Sequence, residues 1–102
     1  MRLIVLFNLK PGVSPEAYEA WARSVDLPTV NALRSVERFA VFRTTGQLGS
    51  DAPPPYAYIE TIDVADMDRF GADIATDAMK TIAAAFQAKA DITFLTTEEI
   101  VA

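Results

Sequence analysis

The segment that most constrains the fold is an apolar run near the start of the chain, residues 3–9 (LIVLFNL). A strand with one wet face alternates apolar and polar side chains. This run instead carries apolar side chains on both faces, with Asn8 as its single polar member, so both faces must be covered. A chain of 102 residues forms one domain, residues 1–102, whose own helices can cover one face of a sheet. We expect a second copy of the chain to cover the other face, which predicts a homodimer through the sheet face.

The composition excludes several classes of function. The net charge is −5 and the nine Lys and Arg residues are scattered, whereas a nucleic-acid surface needs clustered positive charge. The chain has no His and no Cys, so imidazole acid–base catalysis, a Ser-His-Asp triad, a thiolate nucleophile and His- or Cys-ligated metals are excluded. No apolar run reaches the roughly 20 residues of a membrane span, and the N-terminus lacks a signal-peptide layout. We therefore expect a cytoplasmic protein with no cofactor, no metal, and no nucleic-acid or membrane partner.

The apolar patterns predict a chain of alternating strands and helices. Four strands are predicted at residues 3–9, 36–45, 56–63 and 92–101. Ser14 is the predicted N-cap of a first helix that ends near Asp26, because Pro28 disfavours helix at the preceding residue, and a short helical turn follows. Asp66 is the predicted N-cap of a second helical region and Thr76 offers a second cap, with a bend or break near Gly71 or at residues 76–77.

The first helix should bury one stripe of side chains. Helical spacing assigns that stripe to Tyr18, Trp21, Ala22 and Val25.

The order of these elements predicts the fold class. Strand, helix, strand, strand, helix, strand is the α+β, ferredoxin-like βαββαβ arrangement, a four-stranded antiparallel sheet with both helices on one face. The first strand is central in this topology, which agrees with its apolar character. The helix-free face would carry apolar side chains from all four strands, and a twofold dimer would cover it.

Several short segments between residues 21 and 46 carry a family resemblance. WAR at 21–23, DLPTVNAL at 26–33, SV at 35–36 and FRTTG at 42–46 resemble the RedY-like protein HapK family, which belongs to the dimeric α+β barrel superfamily. The opening residues 3–15 are similar to the wider superfamily. The resemblance implies a homodimer with a pocket between sheet and helices in each subunit, and an association with biosynthesis of prodigiosin-type tripyrrole pigments.

Related barrels widen the range of functions that the resemblance implies. They include cofactor-free monooxygenases, lactone isomerases, haem-degrading enzymes and stress-response proteins. Many of these relatives carry a histidine in the first strand or in the second helix, and this chain has none.

The third predicted strand carries the first set of candidate site residues. Tyr56, Tyr58 and Glu60 share one face, and two phenols with a carboxylate would suit a flat aromatic ligand. An apolar environment would raise the pKa of Glu60 and suit it to general acid–base catalysis, with Tyr58 beside it. Alternatively the tyrosines only pack in the barrel or dimer, and Glu60 pairs with Arg43 across the hairpin.

The end of the first helix carries the second set. If Arg23, Asp26 and Asn31 converge on the pocket mouth, Arg23 could bind a carboxylate or enolate ligand and Asp26 could act as a base. Alternatively Asp26 satisfies backbone groups around the helix break, and Arg23 is a solvated partner.

Further candidates come from single unusual positions. Asn8, Trp21 and Arg43 are the other predicted ligand contacts, although Asn8 could cap a loop and Trp21 could belong to the core. The acidic residues Asp63, Asp66 and Asp68 fit helix-start charges better than a metal site.

Three functions remain open from the sequence. The first is a small-molecule-binding protein or metal-free enzyme of secondary-metabolite biosynthesis, acting on an apolar aromatic intermediate such as a prodigiosin-like pigment or polyketide precursor. It predicts a closed, mostly apolar pocket into which Tyr58 and Glu60 project. The second is a cofactor-free monooxygenase, and the third is a non-enzymatic dimeric accessory or stress-response domain.

Overall fold

Four antiparallel strands form the sheet around which the chain is built. The computed structural model describes residues 1–102, and its strands are β1 (Arg2–Leu9), β2 (Val36–Arg43), β3 (Tyr58–Val64) and β4 (Ala90–Thr96). Their order in the sheet is β2-β3-β1-β4, with β1 paired antiparallel to both β3 and β4. This is the ferredoxin-like α+β topology, and the predicted central position of the first strand is confirmed. The last three strands each begin or end at least two residues away from the limits predicted for them from the sequence.

Three of the four α-helices begin at residues that the sequence marks as caps. The helices are α1 (Pro15–Trp21), α2 (Leu27–Asn31), α3 (Met67–Ile74) and α4 (Asp77–Lys89), and a π-helical turn (Ala22–Asp26) joins the first two. The side chains of Ser14, Asp66 and Thr76 accept hydrogen bonds from backbone N–H groups in the first turns of α1, α3 and α4. The break in the second helical region lies between α3 and α4, whereas Gly71 lies inside α3.

The predicted end of the first helix near Asp26 is wrong, because the chain continues as helix through Pro28. The backbone N–H of Leu27 donates to the carbonyl oxygen of Ala22, five residues earlier, so the helix widens into a π-helical turn at this point. Pro28 is thus accommodated where the widened turn passes into α2, and it does not end the helix.

The π-helical turn changes which side chains the helix buries. Val25 is 36% exposed, so its predicted place in the buried stripe is wrong. The buried positions are Tyr18, Ala22 and Asp26, four residues apart. Because the widened turn holds more than 3.6 residues, a four-residue spacing stays on one face and Asp26 takes the place predicted for Val25.

The two faces of the sheet differ in their covering. Leu3, Val5 and Phe7 of β1 are buried under the helices and belong to the core. The opposite face, called the free face below, carries no helix, and all four strands contribute apolar side chains to it. These are Ile4, Leu6, Phe42, Ile59 and Leu95, with Thr61 and Thr93 beside them. Phe42 is 48% exposed and Leu95 is 41% exposed, so this apolar surface is uncovered in the single chain.

The helices are short. None of them has both the length and the apolar character that a bilayer-crossing helix requires.

Candidate active site

An apolar cavity of about 430 Å³ lies between the sheet and the helices and is called the carboxyl cavity below. Fifteen residues line it, and Asp26, Glu60 and Thr96 are the three that are not hydrophobic. Exposed side chains of α3 and β4 frame its mouth, with Phe94 57% exposed and Ile74 43% exposed. The cavity is mostly apolar, as the sequence predicts, but in the single chain it is open to solvent rather than closed.

Two buried carboxyl groups are the chemically distinctive feature of the cavity. Glu60 is 2% exposed and Asp26 is 4% exposed. The Oε2 atom of Glu60 is buried and has no hydrogen-bond partner. Burial, and then the negative charge of Asp26, raise the pKa of Glu60 from 4.5 to about 9. Burial also raises the pKa of Asp26 from 3.8 to about 6. Near neutral pH Glu60 is therefore protonated and Asp26 is ionised.

Local structure explains how each carboxyl reaches the cavity. Alternation along β3 places Tyr58, Glu60 and Ile62 on one face of the strand, and that face lies under the helices. Asp26 comes from the π-helical turn and does not cap α2. Two carboxyls from distant parts of the chain thus face one apolar space, where one can donate a proton and the other can accept one.

Tyr58 lies apart from the carboxyl cavity. Its hydroxyl donates to Oε2 of Glu19 at 2.8 Å, and the same carboxylate accepts from Nε and Nη2 of Arg43 at 2.8 and 2.6 Å. Glu19 is also 3.3 Å from a guanidinium nitrogen of Arg23. The hydrogen bonds from Arg43, and then that from Tyr58, lower the pKa of Glu19 to about 2, while burial and then Glu19 raise that of Tyr58 to about 12.

This cluster lines a separate space, called the polar cleft below. The polar cleft has a volume of about 170 Å³ and includes Tyr58, Glu19, Arg43 and Arg23 in its lining. The alternative in which Arg43 pairs with Glu60 is wrong, because Arg43 is bound to Glu19.

The predicted convergence of Arg23, Asp26 and Asn31 does not occur. Arg23 lies at the polar cleft and Asp26 lies in the carboxyl cavity. Asn31 instead joins α2 to β2: its Nδ2 donates to the carbonyl oxygen of Phe39 at 3.0 Å, and its Oδ1 accepts from the N–H of Phe39 at 2.9 Å. Asp26 is the member of the set that reaches the cavity.

Asn8 and Tyr56 lie at the end of the sheet, outside the carboxyl cavity. The side chain of Asn8 donates to the carbonyl oxygen of Pro55 at 3.1 Å and accepts from the N–H of Ala57 at 2.8 Å. These bonds hold the loop before β3, which is the alternative role for Asn8. Tyr56 is half-buried, and its carbonyl oxygen accepts a hydrogen bond from Thr44.

Trp21 packs in the aromatic part of the core. Its ring lies 6.2 Å from that of Phe86 and nearly parallel to it, and the Lys89 ammonium lies 4.6 Å from the ring centre. Trp21 does not line the carboxyl cavity.

Tyr18 is a buried polar group that the sequence predicts only as core. Its side chain is fully buried and its hydroxyl has no hydrogen-bond partner. Burial raises its pKa, and the negative charges of Glu60 and then Asp26 raise it further. Helical spacing identifies Tyr18 as buried, but no sequence signal shows that its hydroxyl lacks a partner.

The acidic residues around the start of α3 have structural partners. Asp63 binds Nε of Arg2 at 2.7 Å, and Asp66 accepts from the backbone N–H of Arg69 at 3.1 Å. No three acidic, His or Cys side chains come together in a way that could hold a metal ion.

The fold and the cavity define a ferredoxin-like α+β protein with two carboxyls buried in an apolar pocket. A model of the family described as REDY-like protein HapK matches residues 1–100. The chain therefore belongs to the REDY-like HapK family, which confirms the resemblance seen in the sequence.

Solved structures with the same fold include a member of this family. HapK from Hahella chejuensis is 32% identical, with a TM-score of 0.77 over 100% of this chain and 95% of that one. SnoaB from Streptomyces nogalater, a cofactor-independent oxygenase, is 16% identical, with a TM-score of 0.66 over 98% and 94% of the two chains.

A dabb family protein with a ferredoxin-like fold from Mesorhizobium loti is 16% identical, with a TM-score of 0.67 over 98% and 96%. The SnoaB and dabb matches support the fold alone. No curated protein matches the sequence.

Proposed function

We propose that the chain binds an apolar aromatic intermediate of secondary-metabolite biosynthesis in the carboxyl cavity, and that Glu60 exchanges a proton with it. A prodigiosin-like pigment precursor or a polyketide is the expected kind of ligand. The observation that carries the proposal is the buried Glu60, whose Oε2 has no hydrogen-bond partner in a cavity of about 430 Å³. An apolar pocket with a few polar groups and perturbed pKa values is the usual form of a small-molecule site.

The two carboxyls divide the acid–base work in this proposal. The pKa of about 9 keeps Glu60 protonated near neutral pH, so it donates its proton to a developing negative charge on the ligand. The pKa of about 6 leaves Asp26 ionised, so it accepts a proton from the ligand. The ligand ends with the same number of protons, one gained from Glu60 and one lost to Asp26, which is the balance of a tautomerisation or of a step in a condensation.

A second candidate is cofactor-free oxygenation, favoured by the fold that the chain shares with SnoaB. A carboxylate that removes a proton from an anthrone- or quinol-like substrate leaves an electron-rich anion, which O₂ can oxidise. One oxygen atom would enter the product and the other would leave as water. Oxygen uptake with such substrates would favour this candidate, and no uptake across a panel of them would remove it.

A homodimer through the free face is part of the proposal. The exposed apolar side chains of Phe42 and Leu95 belong to a larger apolar surface that a monomer rarely leaves in water. A twofold axis through this face would pack two sheets together and leave both cavities on the outer, helical sides. A dimer without ligand binding would instead favour a non-enzymatic accessory or stress-response domain.

Ligand-induced thermal stabilisation tests the proposed binding. A ligand that binds only the folded state stabilises it by about 2.7 kcal/mol at a concentration 100 times its Kd. We expect three-ring aromatic compounds to raise the melting temperature of the wild type in a saturable way.

Two matched variants locate the binding. Ala83→Phe places a ring in the cavity lining, and Ala84→Phe adds the same ring to an exposed neighbouring position outside it. We expect Ala83→Phe to lose the stabilisation and Ala84→Phe to keep it. Equal responses in the two variants would contradict binding in the carboxyl cavity.

A further inference from the structure

The charges around the carboxyl cavity are all of one sign. Asp26 and Glu60 are its only ionisable lining residues, and none of the nine Lys and Arg residues of the chain lines it. The arginines of the polar cleft, Arg23 and Arg43, are bound to Glu19. The cavity therefore offers a ligand negative charge and hydrogen-bond acceptors, and offers no cationic group.

This arrangement penalises an anionic ligand. A carboxylate or sulfonate entering the cavity would be desolvated in apolar surroundings next to an ionised Asp26, with no positive group to balance it. A cation would gain the attraction of Asp26 at low local dielectric, where charge interactions are stronger than in water.

The hydrogen-bonding capacity of the two carboxyls adds a second requirement. The ionised carboxylate of Asp26 can only accept hydrogen bonds. The buried Oε2 of Glu60 has no hydrogen-bond partner within the chain, and leaving a buried polar atom unpaired is costly. A ligand with an N–H or O–H group directed at the carboxyls would donate to Asp26, whereas a ligand of the same shape without a donor would leave that carboxylate without the bond.

Resting on the proposed function, we propose that the carboxyl cavity selects aromatic ligands that carry a hydrogen-bond donor and are neutral or positively charged. It rejects aromatic ligands that carry a carboxylate, sulfonate or phosphate. The specificity comes from Asp26 and Glu60 acting together on the charge and the donor groups of the ligand.

Four three-ring aromatic probes of similar size test this selectivity. Carbazole has an N–H donor, and dibenzofuran has the same shape without a donor. 9-Aminoacridine is a cation with N–H donors, and anthracene-9-carboxylate is an anion. Dissociation constants are measured by probe fluorescence with the wild type and with Ala83→Phe, which separates binding in the cavity from binding on the acidic surface.

We expect carbazole to bind about tenfold more tightly than dibenzofuran, which corresponds to one hydrogen bond of ordinary strength. We expect 9-aminoacridine to bind most tightly and anthracene-9-carboxylate to show no binding where carbazole saturates. Asp26→Asn should reduce the preference for 9-aminoacridine over carbazole about tenfold, while Glu37→Gln, an exposed acid outside the cavity, should keep it. If Asp26→Asn fails to fold, the order of the four probe affinities for the wild type still decides the test.

The outcomes separate this inference from the proposed function. Equal affinities for carbazole and dibenzofuran, or cavity binding of anthracene-9-carboxylate as tight as that of 9-aminoacridine, would overturn the selectivity and leave aromatic binding in place. Failure of every probe to bind, or binding that Ala83→Phe does not change, would overturn the proposed site and the selectivity with it.

Discussion

Glu60→Gln should remove a steep pH dependence of stability. The pKa of Glu60 is about 9 in the folded chain and 4.5 in an ordinary environment, so above pH 4.5 the folded state holds a proton that the unfolded chain releases. Stability is therefore greatest below that ordinary value and falls as the pH rises toward about 9. One pKa unit corresponds to about 1.36 kcal/mol, so the wild type should lose about 3 kcal/mol between about pH 6.5 and about pH 8.5.

Urea unfolding across this pH range, at one protein concentration, measures the effect. Asp26 has a pKa of about 6 and has largely ionised at the lower limit, and the absence of histidine removes the side chains that ordinarily titrate here. The Gln variant keeps the side-chain volume, although its buried amide costs about 1–3 kcal/mol wherever it lacks a partner. The readout is therefore the slope of stability against pH rather than its value at one pH.

We expect the slope to be lost in Glu60→Gln and kept in Glu37→Gln, the exposed control. An identical slope in Glu60→Gln and the wild type would refute the assignment of Glu60 as a buried, protonated acid. The acid–base part of the proposed function would fail with it.

Three further substitutions test the fold and the assembly. Phe7→Ala removes a fully buried ring that contacts three other aromatic rings, and should lower the free energy of unfolding by about 3–5 kcal/mol in urea titrations; a loss near zero would contradict its central place. Asn31→Ala removes the paired hydrogen bonds to the backbone of Phe39 and should lower the free energy of unfolding by about 1–3 kcal/mol in the same titrations. An unchanged free energy of unfolding would show that these bonds do not form in solution. Ile59→Asp puts a charge on the free face and should convert a dimer to a monomer by sedimentation while circular dichroism stays native; an unchanged sedimentation coefficient would argue against that interface.

Local patterns in the sequence were sufficient to predict the sheet and most helix starts. The alternation in β3 predicts that Glu60 faces the same side as Tyr58, and period-two geometry fixes that relation wherever the strand lies. The caps Ser14 and Thr76 were identifiable because their side chains bond backbone groups only three residues away.

The contents of the site depended on contacts that no local pattern encodes. Glu19 binds the hydroxyl of Tyr58 across 39 residues of chain and so directs that tyrosine to the polar cleft rather than the cavity. Asp26 reaches the cavity through a π-helical turn, whereas Pro28 in the sequence predicts a helix that stops. A widened turn and a helical break are both responses to a proline, and the sequence alone does not distinguish them.

The packing of the core explains how the chain can keep two carboxyls in an apolar cavity. Phe7 lies at the centre of an aromatic cluster, with ring centres 5.4 Å from Tyr18, 5.2 Å from Tyr58 and 4.9 Å from Phe86. Each such pair stabilises a fold by about 0.5–1.5 kcal/mol beyond the area it buries. Beside this dense region, the gap between the sheet and α3 is left open as the cavity. The aromatic cluster can stabilise the fold without filling that gap. Burying Asp26 and Glu60 costs free energy, but the two carboxyls line the cavity and not the packed cluster, so the fold does not depend on apolar side chains at their positions.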